Sequence, residues 1–411
     1  MSNSPSCRFC SKPLKHILLD LGASPLANSY LTPGDLNRME PFYPLRVYVC
    51  QHCMLVQLQE FQSPAKIFSD YAYFSSYSSS WLAHAKRYAE KTIERFALNN
   101  KSQIVEIASN DGYLLQYFAE AGIPVQGVEP AANIAKVAIE KGIPSRIGFF
   151  GIEMADNLVA EGVSADLLIG NNVYAHVPDI HSFTAGLKRL LKPGGVITLE
   201  FPHLLRLMEE NQFDTIYHEH FSYFSLLAVR EIFLHHDLEI FDVEQLPTHG
   251  GSLRVFGKHR GSDAHQISDN VSKLVNLETS HRLDQLDFYS DFDKKVHMVK
   301  CDLLDFLIRA KRAGKIVVGY GAPAKGNTLL NYCGVGCELL PFTVDRSSQK
   351  QGTFLPGTRI PIRTPEAIEQ TRPDYVLILP WNLKDEIATQ MSVVRTWGGQ
   401  FVVAIPSLRV Y

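Results

Sequence analysis

The sequence has little net charge and no long apolar run. Its 411 residues sum to a formal charge of −3, and the basic residues form no block or stripe. Proteins that bind phosphate backbones carry such a basic surface, so we expect no nucleic-acid partner. No apolar run approaches the roughly 20 residues that cross a bilayer, and the first residues, MSNSPSCRFC, lack the pattern of an export signal. We therefore expect a cytoplasmic protein, monomeric and without a membrane span, that acts on a small molecule.

Cysteine is scarce but paired. Four of the seven cysteines form two CxxC pairs, Cys7 with Cys10 and Cys50 with Cys53. In a reducing compartment this spacing favours a metal over disulfides. Four thiolates close a tetrahedron around Zn²⁺ and leave no open position for catalysis, so we expect a structural zinc site. His52, inside the second pair, is an alternative ligand.

Two stretches alternate strands, glycine-bearing turns and helices, one from Gln103 to about Glu200 and one from Lys315 onward. This alternation predicts parallel sheets with crossover helices. Between the two stretches the pattern predicts a long helical segment from about residue 268 to residue 313.

An acidic turn follows the first buried strand of the earlier stretch. Glu106 ends that strand, and Ala108, Asn110 and Gly112 form the turn. A dinucleotide fingerprint would place GxGxxG here to hold a pyrophosphate, whereas this turn would repel a polyanion. Strand, acidic turn and helix in this order favour an S-adenosylmethionine (SAM) site.

Two later strand ends support the same cofactor. Glu129 ends the next strand, where a carboxylate can accept the ribose hydroxyls of an adenosine, and Asn171 ends the fourth strand. The alternative is an ordinary α/β turn with acidic strand ends.

The patterns together predict an α/β protein of three domains. They are a small zinc-binding domain at residues 1–80, a central Rossmann-like SAM methyltransferase domain at 81–255, and a C-terminal Rossmann-like α/β domain at 256–411.

Titratable side chains are densest in Tyr217-His218-Glu219-His220. In an extended segment alternate side chains share a face, which would put Tyr217 with Glu219 and His218 with His220 unless a turn intervenes. His176, just past a strand end, is a second candidate. Histidine is the natural general base near neutral pH.

The later stretch contains GYGAPAKGNTLLN between a strand and a helix. Backbone amides at that helix start, with Lys325 and Asn327, could hold a diphosphate, and Asp345 after the next strand could meet a ribose. The alternative is a plain turn with a solvated lysine.

These motifs resemble those of the nucleotide-sugar C-methyltransferases of deoxysugar biosynthesis, which act on TDP-linked 4-keto-6-deoxy sugars. The similarity covers nearly the whole chain. It rests on the CxxC pairs, DYAYFSSYS (70–78), VEIASNDGYLL (105–115), NNVYAHVPD (171–179), IYHEHFSYFS (216–225) and GYGAPAKGNTLLN (319–331).

The resemblance implies that the C-terminal domain holds a nucleotide-linked keto sugar, with TDP expected and GDP or CDP open. It also implies active-site roles for Tyr71, His176, Tyr217, Glu219 and His220, with His220 as the base that forms an enolate for methylation at C3. A zinc-ribbon nucleic-acid methyltransferase and an NAD-dependent nucleotide-sugar oxidoreductase are the alternatives.

Overall fold

The computed structural model describes residues 5–68, 75–77 and 79–411. Within them the chain forms three sheets of four, seven and six strands. The predicted three-part α/β architecture is confirmed, with a cysteine-rich N-terminal part and two α/β parts. In the described part of the chain, no helix combines the length and the apolar character of a membrane span.

The N-terminal sheet is antiparallel and takes its last strand from far along the chain. Its order is β1-β2-β3-β9, and β3 pairs with β9 through Val56 opposite Tyr223 and Gln57 opposite Ser222. Its strands are β1 (His16–Ser24), β2 (Tyr43–Val49), β3 (Val56–Leu58) and β9 (Ser222–Tyr223). Two helices follow β3, namely α1 (Pro64–Phe68) and α2 (Ser79–Arg95).

The central sheet has the order β10-β11-β8-β7-β4-β5-β6. The strands from β8 to β6 run parallel, and β10 and β11 form an antiparallel hairpin on the β8 edge. Its strands are β4 (Ile104–Ile107), β5 (Val125–Glu129), β6 (Ser145–Ile147), β7 (Ala165–Asn171), β8 (Leu191–Pro202), β10 (Leu238–Leu246) and β11 (Ser252–His259). The carboxyl ends of β4, β5 and β7 therefore meet at one edge, where a ligand site of an open α/β sheet forms.

Helices cover both faces of this sheet, because its strands are buried and mostly apolar. They are α2, α3 (Leu115–Glu120), α4 (Ala132–Glu140), α5 (Ile152–Ala160), α6 (Ile180–Leu190) and α8 (Leu226–His235). Helix α7 (Leu204–Glu209) packs instead in a cluster with buried residues of the N-terminal and C-terminal parts.

The helical segment predicted between residues 268 and 313 is two helices rather than one. They are α9 (Asp269–Ser280) and α10 (Phe292–Arg312). Between them Leu283 and Tyr289 are buried, and the Tyr289 hydroxyl donates to the Leu283 carbonyl at 2.7 Å. Burial of these two side chains breaks the helix, which helical periodicity does not reveal.

The C-terminal sheet has the order β14-β13-β12-β15-β16-β17 and is parallel except for β17. Its strands are β12 (Val317–Tyr320), β13 (Thr343–Val344), β14 (Ile362–Arg363), β15 (Tyr375–Ile378), β16 (Gln400–Val403) and β17 (Arg409–Val410). Its helices are α11 (Ala324–Cys333), α12 (Glu366–Thr371) and α13 (Lys384–Gln390).

The N-terminal and C-terminal sheets share one apolar core. Buried residues of β1 and β2, such as Leu19 and Val47, belong to the same cluster as Leu303 of α10 and Leu330 of α11. The three parts thus pack as one molecule, and the boundaries expected at residues 80 and 255 stay a prediction.

Candidate active site and zinc site

The two CxxC pairs lie on matching turns. Ser11 N donates to the Cys7 carbonyl and Met54 N donates to the Cys50 carbonyl, both at 2.9 Å. The four Sγ atoms of Cys7, Cys10, Cys50 and Cys53 all lie within 4.8 Å of one another. Thiolates around a tetrahedral zinc lie roughly 3.8 Å apart. This donor set fits a closed, structural Zn²⁺ site.

Arg8, inside the first CxxC pair, reaches the predicted catalytic region. Its Nη1 donates to the Pro178 carbonyl at 2.8 Å, and its guanidinium carbon lies 5.3 Å from the centre of the Phe221 ring. Pro178 follows His176 by two residues, and Phe221 directly follows His220. One zinc-turn side chain therefore contacts both segments that carry the candidate bases.

The predicted cofactor turn has an unusual backbone. Ala108, Asn110 and Gly112 have φ angles of 55°, 49° and 77°. A side chain on Gly112 would also approach Ile143 to 3.1 Å. The Glu129 carboxylate accepts hydrogen bonds from the backbone N–H of Asn110 at 2.9 Å, which joins the end of β5 to this turn. The turn after β4 and the end of β5 are therefore held together by this carboxylate, and the cofactor-binding roles of these residues stay a prediction.

Several buried polar atoms around the turn have no hydrogen-bond partner among the described residues. They are Glu106 Oε2, Ser109 Oγ, Asp111 Oδ1 and Asn171 Oδ1. An unpartnered buried polar group costs about 1–3 kcal/mol, so these acceptors fit a ligand that donates hydrogen bonds. Burial raises the pKa of Glu129, and burial together with the Glu129 charge raises the pKa of Glu106 well above its usual value. A cationic ligand with hydroxyl and amino donors, such as SAM, suits these groups.

A turn brings Tyr217 against His220. The Tyr217 hydroxyl oxygen lies 2.9 Å from His220 Nε2, and His220 Nδ1 lies 2.8 Å from the Thr215 carbonyl. Because a carbonyl only accepts, Nδ1 carries the proton and Nε2 is the basic nitrogen, which accepts from Tyr217. The extended arrangement that would put Tyr217 with Glu219 is wrong, since the backbone of His220 bonds back to Tyr217 O at 2.9 Å.

His176 lies beside this pair. The centres of the His176 and His220 rings are 4.6 Å apart, and His176 Nδ1 lies 2.8 Å from the Glu219 carbonyl, which makes its Nε2 the unprotonated nitrogen. Burial lowers the pKa of His176 to about 4, and burial and the neighbouring His176 lower the pKa of His220 well below its usual value. Both rings are therefore neutral at neutral pH.

The Glu219 carboxylate faces a different partner. Asn28 Nδ2 donates to its Oε1 at 2.7 Å, and burial raises its pKa to about 7. The contribution of Glu219 to the histidine pair is thus its backbone carbonyl. Tyr71, the fifth predicted catalytic residue, lies outside the described residues.

Lys325 approaches this region from the C-terminal sheet. Its Nζ is buried with no hydrogen-bond partner among the described residues, and it lies 5.0 Å from the centre of the Trp381 ring. Trp381 Nε1 donates to Asp214 Oδ2 at 2.7 Å. The Lys325 charge lowers the pKa of His220 and His249, which puts the ammonium within electrostatic reach of both imidazoles. The alternative of a solvated lysine is wrong.

The side chains of the other two predicted substrate residues form hydrogen bonds with backbone groups. Asn327 Nδ2 donates to the Ala27 carbonyl at 2.5 Å, which joins α11 to the N-terminal part. The Asp345 carboxylate accepts from Ala322 N at 2.7 Å and from Ser347 N at 2.8 Å. Of the three predicted substrate residues, Lys325 is therefore the one whose charge acts on His220.

Three family models match consecutive parts of the chain. Residues 7–68 match a family described as "Putative zinc binding domain", residues 81–243 a methyltransferase domain, and residues 247–406 a C-methyltransferase C-terminal domain. The C-methyltransferase NovU of Streptomyces niveus is 36% identical over 404 residues, which are 98% of this chain and 96% of NovU. The chain belongs to this C-methyltransferase family.

More distant relatives match only part of this C-methyltransferase. The ubiquinone biosynthesis O-methyltransferase of Chelativorans sp. (strain BNC1) is 29% identical over 96 residues, 23% of this chain and 38% of that protein. Among solved structures, magnesium protoporphyrin IX methyltransferase from Synechocystis PCC 6803 with bound SAH has a TM-score of 0.35 at 15% identity. That match covers 44% of this chain and 83% of that chain.

The predicted cofactors are confirmed for this C-methyltransferase. The methyltransferase match spans the turn that carries Glu106 and Glu129, so the enzyme is SAM-dependent. The zinc-binding match spans all four clustered cysteines, which hold the structural zinc.

Sequence reasoning missed His249 of this C-methyltransferase. Its φ is 54°, its Nε2 lies 3.4 Å from Asn172 Nδ2, and its ring centre lies 5.3 Å from that of Trp81. Positive φ is an uncommon conformation for a non-glycine residue, and it motivates a test of His249. The signal in the sequence is Thr248-His249 followed by two glycines in the hairpin between β10 and β11.

Proposed function

We propose that this SAM-dependent C-methyltransferase methylates C3 of a nucleotide-linked 4-keto-6-deoxy sugar, through an enolate formed by His220. The observation that carries the proposal is the tautomer of His220. Its Nδ1 proton is bonded to the Thr215 carbonyl at 2.8 Å, so Nε2, beside the Tyr217 hydroxyl, is the nitrogen that takes a proton.

The chemistry follows from the ketone. A C4 carbonyl acidifies the C3 proton, and His220 Nε2 takes that proton, which leaves an enolate with its electron pair shared between C3 and the C4 oxygen. SAM, held at the turn after β4, would supply the methyl group to C3, with its S–CH3 bond broken and S-adenosylhomocysteine released. The carbonyl oxygen gains negative charge as the proton leaves, and donors aimed at it lower the barrier. Tyr217 is the candidate for that contact, since the Glu219 carboxylate is engaged by Asn28 and Nε2 of the neutral His176 carries no proton to donate.

Lys325 connects substrate binding to the strength of the base. We assign it, with Asn327 and Asp345, to the nucleotide sugar, whose diphosphate is the anion that the sequence predicts for this turn. Without substrate, the Lys325 charge contributes to the low pKa of His220. An anionic substrate offsets that charge, so we expect substrate binding to remove this contribution, while burial, the largest cause, continues to lower the pKa of His220.

The test separates proton removal from methyl transfer. His220→Asn should bind S-adenosylhomocysteine and the nucleotide sugar as the wild type does, but lose about 100-fold to 10,000-fold in turnover. In heavy water without methyl donor, the wild type should exchange the C3 proton of the substrate for deuterium and the variant should not.

His218→Asn is the matched control, because His218 faces the N-terminal part, with its Nε2 3.2 Å from the Pro44 carbonyl. If His220→Asn exchanged the C3 proton at the wild-type rate, the general base would be a residue other than His220. Mass spectrometry of products from TDP-, GDP- and CDP-linked 4-keto sugars identifies the nucleotide, and no methylation of any of them would reject the sugar substrate.

A further inference from the structure

A second group of metal-ligating side chains lies outside the zinc and catalytic sites. His181 is in the first turn of α6, His235 is the last residue of α8, and His236 follows it. One ring nitrogen from each of the three lies within 4.8 Å of the other two. We propose that these three histidines bind a divalent late transition metal, such as Zn²⁺, Ni²⁺, Cu²⁺ or Co²⁺, in addition to the zinc at the four cysteines.

The hydrogen bonds of His181 prepare it as a ligand. Its Nε2 lies 2.7 Å from the Phe9 carbonyl, so Nε2 carries the proton and Nδ1 has the lone pair. That Nδ1 faces the other two rings and lies 3.0 Å from His236 Nε2. Histidines that bind metals commonly donate their second N–H to a carbonyl, which fixes the tautomer and the ring orientation.

The distances suit one ion. Nitrogen ligands of a tetrahedral zinc lie roughly 3.3 Å apart, close to the 3.0 Å between His181 and His236. Without metal, one proton bridges these two nitrogens, and a metal ion would replace it. His235, which is exposed, already has a ring nitrogen within 4.8 Å of the other two.

The local charges allow a cation. Lys188 is a positive side chain that acts on His236, and it pairs with Asp237 at 2.8 Å, so the residue after His236 offsets its charge. Three imidazoles select zinc, copper or nickel over the hard cations, and they leave one position for water. Because Phe9 lies between Cys7 and Cys10, the ion would fasten α6 and α8 to the zinc turn.

The experiment uses the full chain with zinc already at the cysteines. After removal of loose metal, added Co²⁺ should bind as one further equivalent per chain. Its spectrum should show the d–d bands of tetrahedral cobalt without a thiolate-to-cobalt charge-transfer band, because the new site has no sulfur ligand. The melting temperature should rise with added metal, since a ligand that binds only the native state stabilises it.

His236→Ala and His181→Phe should lose the extra equivalent and the rise in melting temperature. His297→Ala, at an exposed histidine on α10, should keep both. Unchanged affinity for S-adenosylhomocysteine verifies that each variant is folded, and His236→Ala decides the matter if His181→Phe does not fold. The proposal is overturned if the wild type takes up no second ion, or if His236→Ala takes it up equally well.

Discussion

At the scale of single residues, the active site depends on which buried groups carry protons. His176 and His220 are partly buried and neutral, while the buried Glu219 beside them has a pKa raised to about 7 by burial. Burial thus acts in opposite directions on the two residue types, because in each case it disfavours the charged form. Neighbouring residues of one turn therefore titrate in different pH ranges.

Glu219→Gln should make stability less dependent on pH. The Glu219 carboxyl binds its proton more tightly when folded, so its stabilising contribution is full below its ordinary pKa of 4.5 and is lost as the pH rises through about 7. In Glu219→Gln the free energy of unfolding should not show this loss as the pH rises. For a buried group with this pKa shift, the loss is on the order of 3 kcal/mol. Urea unfolding at pH 5 and pH 8 measures it, with Glu60→Gln, at an exposed carboxylate, as the control. Equal losses in Glu219→Gln and the wild type would contradict this assignment.

At the scale of secondary-structure elements, the zinc turns hold catalytic segments in place. Arg8 contacts the Pro178 carbonyl and the Phe221 ring, and Phe221 N donates to the Ala175 carbonyl at 2.7 Å. The segment with His176 and the segment with His220 are therefore fixed to each other and to the same zinc turn. The zinc domain has a role in positioning as well as in stability.

Arg8→Gln should lower kcat by roughly 10- to 100-fold, because a displacement of about 1 Å in a catalytic group can cost that much. The affinity for S-adenosylhomocysteine should stay unchanged, since the cofactor turn is not among the contacts of Arg8 described above. Steady-state kinetics and calorimetry measure the two effects, with Lys12→Gln, at an exposed residue of the same turn, as the control. A loss of stability with normal kcat in the folded fraction would show that Arg8 is purely structural.

The parts of the site that were predicted from sequence are those that depend on local spacing. Two CxxC turns and a strand followed by an acidic turn have nearly the same geometry wherever they occur, so the zinc ligands and the turn with Glu129 could be read directly. The contacts of Arg8, Trp381 and Asp214 could not, because they join residues far apart in the chain. The sequence did not decide whether the segment at Tyr217 is extended or forms a turn, because the same residues are compatible with both conformations.

At the scale of the whole molecule, the C-terminal part completes the catalytic region. Trp381 Nε1 donates to the buried carboxylate of Asp214, and the same indole contacts the ammonium of Lys325, which has no hydrogen-bond partner in the described part of the chain. Gly250, after His249, leaves room for the Trp381 ring, which a side chain at this position would approach to 2.4 Å. This contact therefore links the third sheet to the loop that carries His249.

Trp381→Phe should lower both stability and kcat, whereas Trp397→Phe should lower stability alone. Both changes remove one indole hydrogen bond, to Asp214 in one case and to the Pro373 carbonyl in the other. The cost of each is about 1–3 kcal/mol, and only Trp381 contacts Lys325. Urea unfolding and kcat measurements on the two variants make the comparison. Equal kcat values in the two variants would show that the contact between Trp381 and Lys325 does not affect catalysis.

Strand β9 has a consequence for the order in which the chain can fold. The N-terminal sheet takes its last strand from Ser222 and Tyr223, directly after the segment with His220. During synthesis the zinc turns and β1 to β3 leave the ribosome long before this strand exists, so the edge of β3 stays unpaired while the central sheet is made. Closing so long a loop is slow and comes late. The segment with His220 therefore reaches its final position only when the first part of the chain captures it, and no methyl transfer can precede that step.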